Sequence, residues 1–148
     1  MSKIRVTKVF TLDVAHALEG YDGLCKNIHG HTYHFRVTVC GKIKNEIGHP
    51  KNGMVVDFGD LKKIVRKEIL EKFDHSLVLM EGSSLLQSIR SEINERLILT
   101  PFQPSCENLL LHFISILKPL LPAEIELIAA RLDETPTSYS EWFLADQA

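Results

Sequence analysis

Two alternating runs dominate the first third of the chain. Between residues 4 and 18, Phe10, Leu12, Val14, His16 and Leu18 take every second position, with Thr11 and Asp13 between them. A period of two predicts a half-buried β-strand. Gly20, Asp22 and Gly23 then mark residues 19–30 as a loop. From 31 to 43 the alternation resumes, with His31, Tyr33, Phe35, Val37 and Val39 opposed to Thr32, His34, Arg36 and Thr38. This predicts a second strand, antiparallel to the first. After a polar turn over 44–53 the period changes. Phe58, Leu61, Val65 and Ile69 recur at helical spacing, Ile64 and Phe73 widen the stripe, and Asp57 suits the N-cap. Lys62, Lys63, Arg66 and Lys67 lie off the stripe and read as a solvated face.

The pattern is weakest over 80–103. Glu81-Gly82-Ser83-Ser84 marks a turn, Leu85 to Arg96 has a loose helical period, and Leu97-Ile98-Leu99 suits a short strand before Pro101 and Pro104. Ser105 suits an N-cap, with Glu107 in the first turn where the helix dipole favours an acid. Leu109, Leu110, Phe113, Ile116, Leu117, Leu120 and Leu121 form a strongly apolar helix that Pro119 and Pro122 end. Residues 124–134 alternate less cleanly, Ile125, Leu127 and Ala129 against Ile128, Ala130 and Leu132, as in a strand partly buried on both faces. Residues 138–144 form a last strand, and the Thr135-Pro136-Thr137 turn pairs the two as a hairpin. The expected order is β-β-α-α-β-β: an α+β fold with two helices on one face of a four-stranded antiparallel sheet. The 148 residues favour a single domain over 1–148.

Composition narrows the function classes. A formal net charge of −2 gives no electrostatic footprint for nucleic acid or an acidic membrane. No apolar run approaches a membrane span, and Met1-Ser2-Lys3-Ile4-Arg5 lacks a signal-peptide core. Three cysteines without framework spacing argue against a disulfide scaffold, so a reducing cytoplasm is expected.

Candidate chemistry is concentrated in Cys25-Lys26-Asn27-Ile28-His29-Gly30-His31. His29 and His31, two apart, leave the same face of an extended segment. His16 ends the preceding strand on its apolar face, and in a hairpin that end adjoins His31. Three neutral imidazoles can thus converge at one end of the sheet, a donor set suited to Zn²⁺. Cys25 has two readings: a fourth ligand closing a structural site, or a thiol beside an open, catalytic one. Spacing does not separate them. Asp74-His75 is a candidate oriented acid–histidine pair just past a helix. His34, His49 and His112 fall outside this constellation, and Cys40 and Cys106 read as buried thiols.

Ala15-His16, Cys25-x-x-x-His29-Gly30-His31, Gly53-Met54-Val55-Val56-Asp57-Phe58 with Leu61-Lys62, Phe73-Asp74-His75, Pro104-Ser105-Cys106-Glu107-Asn108 and Glu134 occur in that order. The combination resembles the 6-pyruvoyltetrahydropterin synthase / 6-carboxytetrahydropterin synthase family over nearly the whole chain. The three-residue spacer between Cys25 and His29 resembles the carboxytetrahydropterin branch, which serves queuosine and deazapurine synthesis. The resemblance implies a tunnelling fold whose subunits join sheets into rings, two rings stacking into a homohexamer with active sites between subunits. It implies a zinc-dependent lyase that converts 7,8-dihydroneopterin triphosphate to 6-carboxy-5,6,7,8-tetrahydropterin, releasing acetaldehyde and triphosphate. By position, His16, His29 and His31 match the zinc ligands, Cys25 the catalytic thiol, Asp74 and His75 the acid–histidine pair, and Glu134 the pterin anchor. Backbone near Ser105 and Cys106 is expected to line the pterin slot. Two alternatives remain: a pyruvoyl-forming synthase that eliminates only triphosphate, and a non-catalytic zinc-stabilised assembly module. The 80–103 stretch is longer than in compact members, and Cys106 stands where a small or hydroxylated residue is more usual.

Overall fold

The computed structural model describes residues 2–89 and 95–148. The two alternating runs form β1 (Lys3–His16) and β2 (His29–Lys42), a long antiparallel hairpin. Its register pairs Phe10 with Phe35, Val14 with His31 and His16 with His29. The expected inward set, Phe10, Leu12, Val14, Tyr33, Phe35, Val37 and Val39, is buried. Leu18 lies beyond the end of β1.

The uneven alternation of β5 (Ile125–Thr135) has a specific cause. Thr38 pairs with Ala129, but Val39 pairs with Leu127, so a β-bulge leaves Ile128 as the extra residue. A one-residue slip exchanges the two faces. Ile125 and Leu127 point inward before the bulge; Ala130 and Leu132 do so after it. The switch carries Glu134 onto the inner face. Pro136 and Thr137 turn the chain into β6 (Ser138–Phe143), which completes the expected hairpin with a register irregularity at Glu134.

The sheet is larger than four antiparallel strands. β3 (Ser76–Met80) and β4 (Leu97–Thr100) extend it to six, in the order β4-β3-β1-β2-β5-β6, with β3 parallel to both β1 and β4. The sheet is therefore mixed. Leu77, Val78 and Leu79 are buried on both faces, so this segment has a continuous apolar run instead of a period of two. Within the loosely helical stretch, Ser84–Ser88 is a 3₁₀ turn. Residues 90–94 of the same stretch lie outside the described residues.

Two helices cover the inner face. The first runs over 58–73, as α-helix at Phe58–Val65, a π-helical turn at Arg66–Leu70 and a last turn at Glu71–Phe73. Its buried residues Leu61, Val65, Ile69 and Phe73 repeat every fourth position. In a regular α-helix that spacing drifts by roughly 40° per turn. The wider π turn absorbs drift and keeps the row on the core. Asp57 caps the helix by accepting from the Gly59 N–H, as expected. The second helix, Cys106–Leu117, is capped by Ser105, whose hydroxyl accepts from Asn108 N–H. Phe113 packs its ring between Phe35 and Phe73, joining both helices to β2. Among the described residues, no helix is long and apolar enough to cross a membrane.

Candidate metal centre

The β1–β2 register places His16 directly opposite His29, with His31 one inward position along. The three imidazoles converge, with ring centroids 4.6 Å (His16–His29), 5.0 Å (His29–His31) and 5.2 Å (His16–His31) apart. His16 is 1% exposed. Its Nδ1 lies 2.6 Å from the Pro104 carbonyl, and the His29 Nδ1 lies 2.7 Å from the Asn27 carbonyl. A carbonyl only accepts, so each Nδ1 carries the proton and each Nε2 presents a lone pair. Burial, ahead of the charge on His29 and His31, pushes His16 down to about 4 despite the Pro104 contact. Burial also lowers His31, against the pull of Glu134. Both changes favour neutral rings, the form that binds metal.

The Nε2 atoms of His16, His29 and His31 are all buried and have no hydrogen-bond partner. A buried, unsatisfied ring nitrogen is costly, and three sharing one place, with those of His16 and His29 presenting lone pairs, suit a bound cation. Glu134 from β5 completes the cluster: its Oε1 is 2.9 Å from His31 Nε2 and 3.6 Å from His16 Nε2, without the alignment of a hydrogen bond. The ligand atoms of these four residues lie within 4.8 Å of one another. Three imidazoles and a carboxylate fit a divalent ion of borderline softness.

Cys25 is not one of the four residues whose ligand atoms converge. It sits half-buried in the 3₁₀ turn Leu24–Lys26, with its carbonyl accepting from the Leu18 N–H at 2.9 Å. Asp74 and His75 form a pair, His75 Nδ1 lying 3.1 Å from Asp74 Oδ2. Asp74 also accepts from the Asp13 N–H at 2.8 Å, and His75 N–H donates to the Asp13 carbonyl at 2.7 Å. His75 has a φ of 60°, a conformation uncommon for a residue other than glycine. Its side chain is 73% exposed. It lines a groove of about 440 Å³ with Asp13, Ala15, His31, Thr32 and Leu77. His31 and His75 thus border one groove, while the ligand atoms form two separate groups, those of His16, His29, His31 and Glu134 in one and those of Asp13, Asp74 and His75 in the other. Ser105 is occupied as a helix cap. The Cys106 thiol is buried, donates to the Leu132 carbonyl at 3.3 Å, and is pushed by burial up to about 11. The Ser105–Cys106 turn adjoins the cluster through Pro104.

Several residues of this neighbourhood were silent in the sequence. Tyr33 is 1% exposed, with its ring 5.5 Å from His31 and 6.2 Å from His16. Its position two residues after His31, on the same face, was the available signal. Burial, then the charge of Glu134, raises its phenol, so it stays protonated and can donate. The described residues on and around β3 and β4 form a brace. Arg96 donates to the carbonyls of Glu71, Lys72 and Asp74, holding the end of the first helix and the Asp74–His75 turn. Gln103 pairs its amide with the Glu19 backbone in both directions, at 2.8 and 2.7 Å, while Ser83 donates to the Glu19 carboxylate at 2.8 Å. Nothing local in sequence connects residues 64 or 84 positions apart. Gln103→Leu is expected to lower the unfolding free energy by about 1–3 kcal/mol, because it strands a part-buried N–H and carbonyl of Glu19. Urea unfolding of the variant checks this; an unchanged midpoint and slope would show that the clamp contributes nothing.

The geometry agrees with the comparisons. The model of the 6-pyruvoyl tetrahydropterin synthase family matches residues 5–143. A Haemophilus influenzae protein named 6-carboxy-5,6,7,8-tetrahydropterin synthase is 35% identical over 141 residues, covering 93% of this chain and 97% of its own. A Rickettsia bellii protein of the same name is 31% identical, covering 93% and 99%. In fold, the chain is similar to an uncharacterized protein, WS1659 from Wolinella succinogenes, with a TM-score of 0.82 at 16% identity over 97% of this chain and 99% of that one. It is also similar to 6-pyruvoyl tetrahydropterin synthase from Caenorhabditis elegans, with a TM-score of 0.68 at 23% identity over 97% and 96%. Since the family model spans nearly the whole chain, from the start of β1 to the end of β6, the chain belongs to the 6-pyruvoyl tetrahydropterin synthase family.

Proposed function

We propose that the protein is a zinc-dependent lyase that converts 7,8-dihydroneopterin triphosphate and one water to 6-carboxy-5,6,7,8-tetrahydropterin, with release of acetaldehyde and triphosphate. The observation that carries this reading is the set of three buried, unpartnered Nε2 atoms facing one another. The curated relatives' names and the three-residue spacer after Cys25 favour the carboxy product.

His16, His29 and His31 would hold the ion, and zinc, when bound, supplies Lewis acidity that eases removal of protons near the substrate's side-chain hydroxyls. Cys25 stands outside the ligand set and is assigned the base on one side of that side chain. His75 moves a proton on the other side. Asp74, 3.1 Å away, orients its ring and fixes its tautomer. Glu134, an acceptor-only carboxylate, reads the paired N–H donors of the pterin's amino-pyrimidine edge. Backbone groups of the Ser105–Cys106 turn line the pterin slot. The ligand atoms of Asp74 and His75 group with Asp13 and not with the histidine cluster, and the pair acts at a neighbouring subunit's site, since the family resemblance implies active sites between subunits. This agrees with the ring-shaped homohexamer expected from the family resemblance. The free thiols of Cys25, Cys40 and Cys106 suit a cytoplasmic enzyme of queuosine synthesis.

Incubation of the zinc-loaded protein with 7,8-dihydroneopterin triphosphate tests the reading. Acetaldehyde and triphosphate are expected in equal amounts. Triphosphate without acetaldehyde would assign the pyruvoyl-forming reaction instead, and neither product would leave the assembly-module reading.

A further inference from the structure

Tyr33 has a hydroxyl that nothing in the fold explains. It is buried and makes no hydrogen bond, in a chain where most buried polar groups do. Packing alone would be served by phenylalanine, which stands at the next inward position, Phe35. The β2–β5 ladder pairs His34 with Asp133. The ladder ends there, and Tyr33 and Glu134 lie one residue beyond its last pair on the same inner face, both against His31: the His31 ring is 5.5 Å from the Tyr33 ring and its Nε2 is 2.9 Å from Glu134 Oε1. Of the ionisable groups that act on the hydroxyl through space, Glu134 comes first, ahead of Cys106, Cys25 and Glu107.

Glu134 meanwhile lies against His31 and His16. A cation on the three Nε2 atoms leaves it two places: in the ligand set, or beside it, free to meet a ligand. A hydroxyl donor on the same inner face favours the second place, because a hydrogen bond between the two would satisfy both groups at once.

We propose that Tyr33 is a positioning residue: its hydroxyl donates to the Glu134 carboxylate, holding it off the metal and aimed at the amino-pyrimidine edge of a pterin. This rests on the role given to Glu134 above. It adds that the carboxylate needs a second residue to keep its orientation and to stay apart from the three histidines that would hold the ion.

The test is equilibrium binding of unsubstituted pterin to the zinc-loaded protein, followed by fluorescence, for the wild type, Tyr33→Phe, Glu134→Ala and the double variant. Phenylalanine keeps the ring against His16 and His31, and a thermal melt with a zinc assay confirms that fold and metal survive. Tyr33→Phe is expected to weaken pterin binding about tenfold, the scale of one hydrogen bond to a charged group. In the Glu134→Ala background the same change is expected to have no further effect. The Co²⁺-loaded protein gives a second readout: its visible spectrum is expected to shift in Tyr33→Phe as the released carboxylate joins the ion, and to stay unshifted when Glu134 is also alanine. Equal losses with and without Glu134, no loss at all, or a wild type that does not bind pterin would each overturn the assignment. Binding is measured without turnover. A wild type that releases no acetaldehyde but shows the coupling sinks the lyase reading and keeps Tyr33; acetaldehyde release without the coupling does the reverse.

Discussion

Cys25→Ala is expected to lower kcat by about 10²–10⁴, the range for loss of a positioned acid–base group, while the protein keeps a full complement of zinc. The two halves of this expectation come from different observations. The retained metal follows from the three histidines that would hold it, whose ligand atoms gather with that of Glu134 and not with the thiol. The lost turnover follows from the role assigned to Cys25 as proton acceptor. The side chain is half-buried in a short 3₁₀ turn held by backbone bonds, among them Leu18 N–H to the Cys25 carbonyl, which alanine preserves. The fold should therefore be unaffected. Steady-state turnover of dihydroneopterin triphosphate together with metal analysis of the same preparation decides the matter. Zinc lost along with activity would make Cys25 a ligand and favour a structural, assembly-supporting site.

The second large effect is expected for His16→Ala. This side chain belongs to both the core and the metal centre. Its truncation strands the Pro104 carbonyl, now 2.6 Å from Nδ1, at a cost of about 1–3 kcal/mol in the metal-free protein. It also removes one of three imidazoles from the ion. Loss of a single outer-shell partner typically costs 10–100-fold in metal affinity, so loss of a ligand should exceed about a hundredfold. Chelator competition with Zn²⁺ and urea unfolding of the metal-free protein measure the two contributions separately. Unchanged zinc affinity would mean that the ion is held elsewhere, and the lyase reading would lose its foundation.

These expectations concern residues that were legible to different degrees. His16, His29 and His31 were readable as a set because a hairpin is a local object: alternation assigns their faces, and a short loop brings the two strand ends together. The N-caps at Asp57 and Ser105 were readable for the same reason, since a cap and the N–H it satisfies are two or three residues apart. β3 escaped because a strand buried on both faces has no period of two. Tyr33 was placed on the right face, but its hydroxyl gained meaning only when β5 was laid beside it.

The sequence by itself determined the α+β class, the inward faces of the β1–β2 hairpin, the course of both helices and the convergence of three imidazoles. All of these follow from periodicity and from contacts made within a hairpin or a helical turn. The tertiary structure decided the mixed six-stranded sheet, the bracing of Asp74 and Glu19 by Arg96 and Gln103, and the arrival of Glu134 at the histidines. That last outcome turns on one extra residue, Ile128, whose bulge reverses which side of β5 faces the core. Its effect is fixed by pairing with β2, almost 90 positions earlier in the chain. No pattern within either strand alone encodes it.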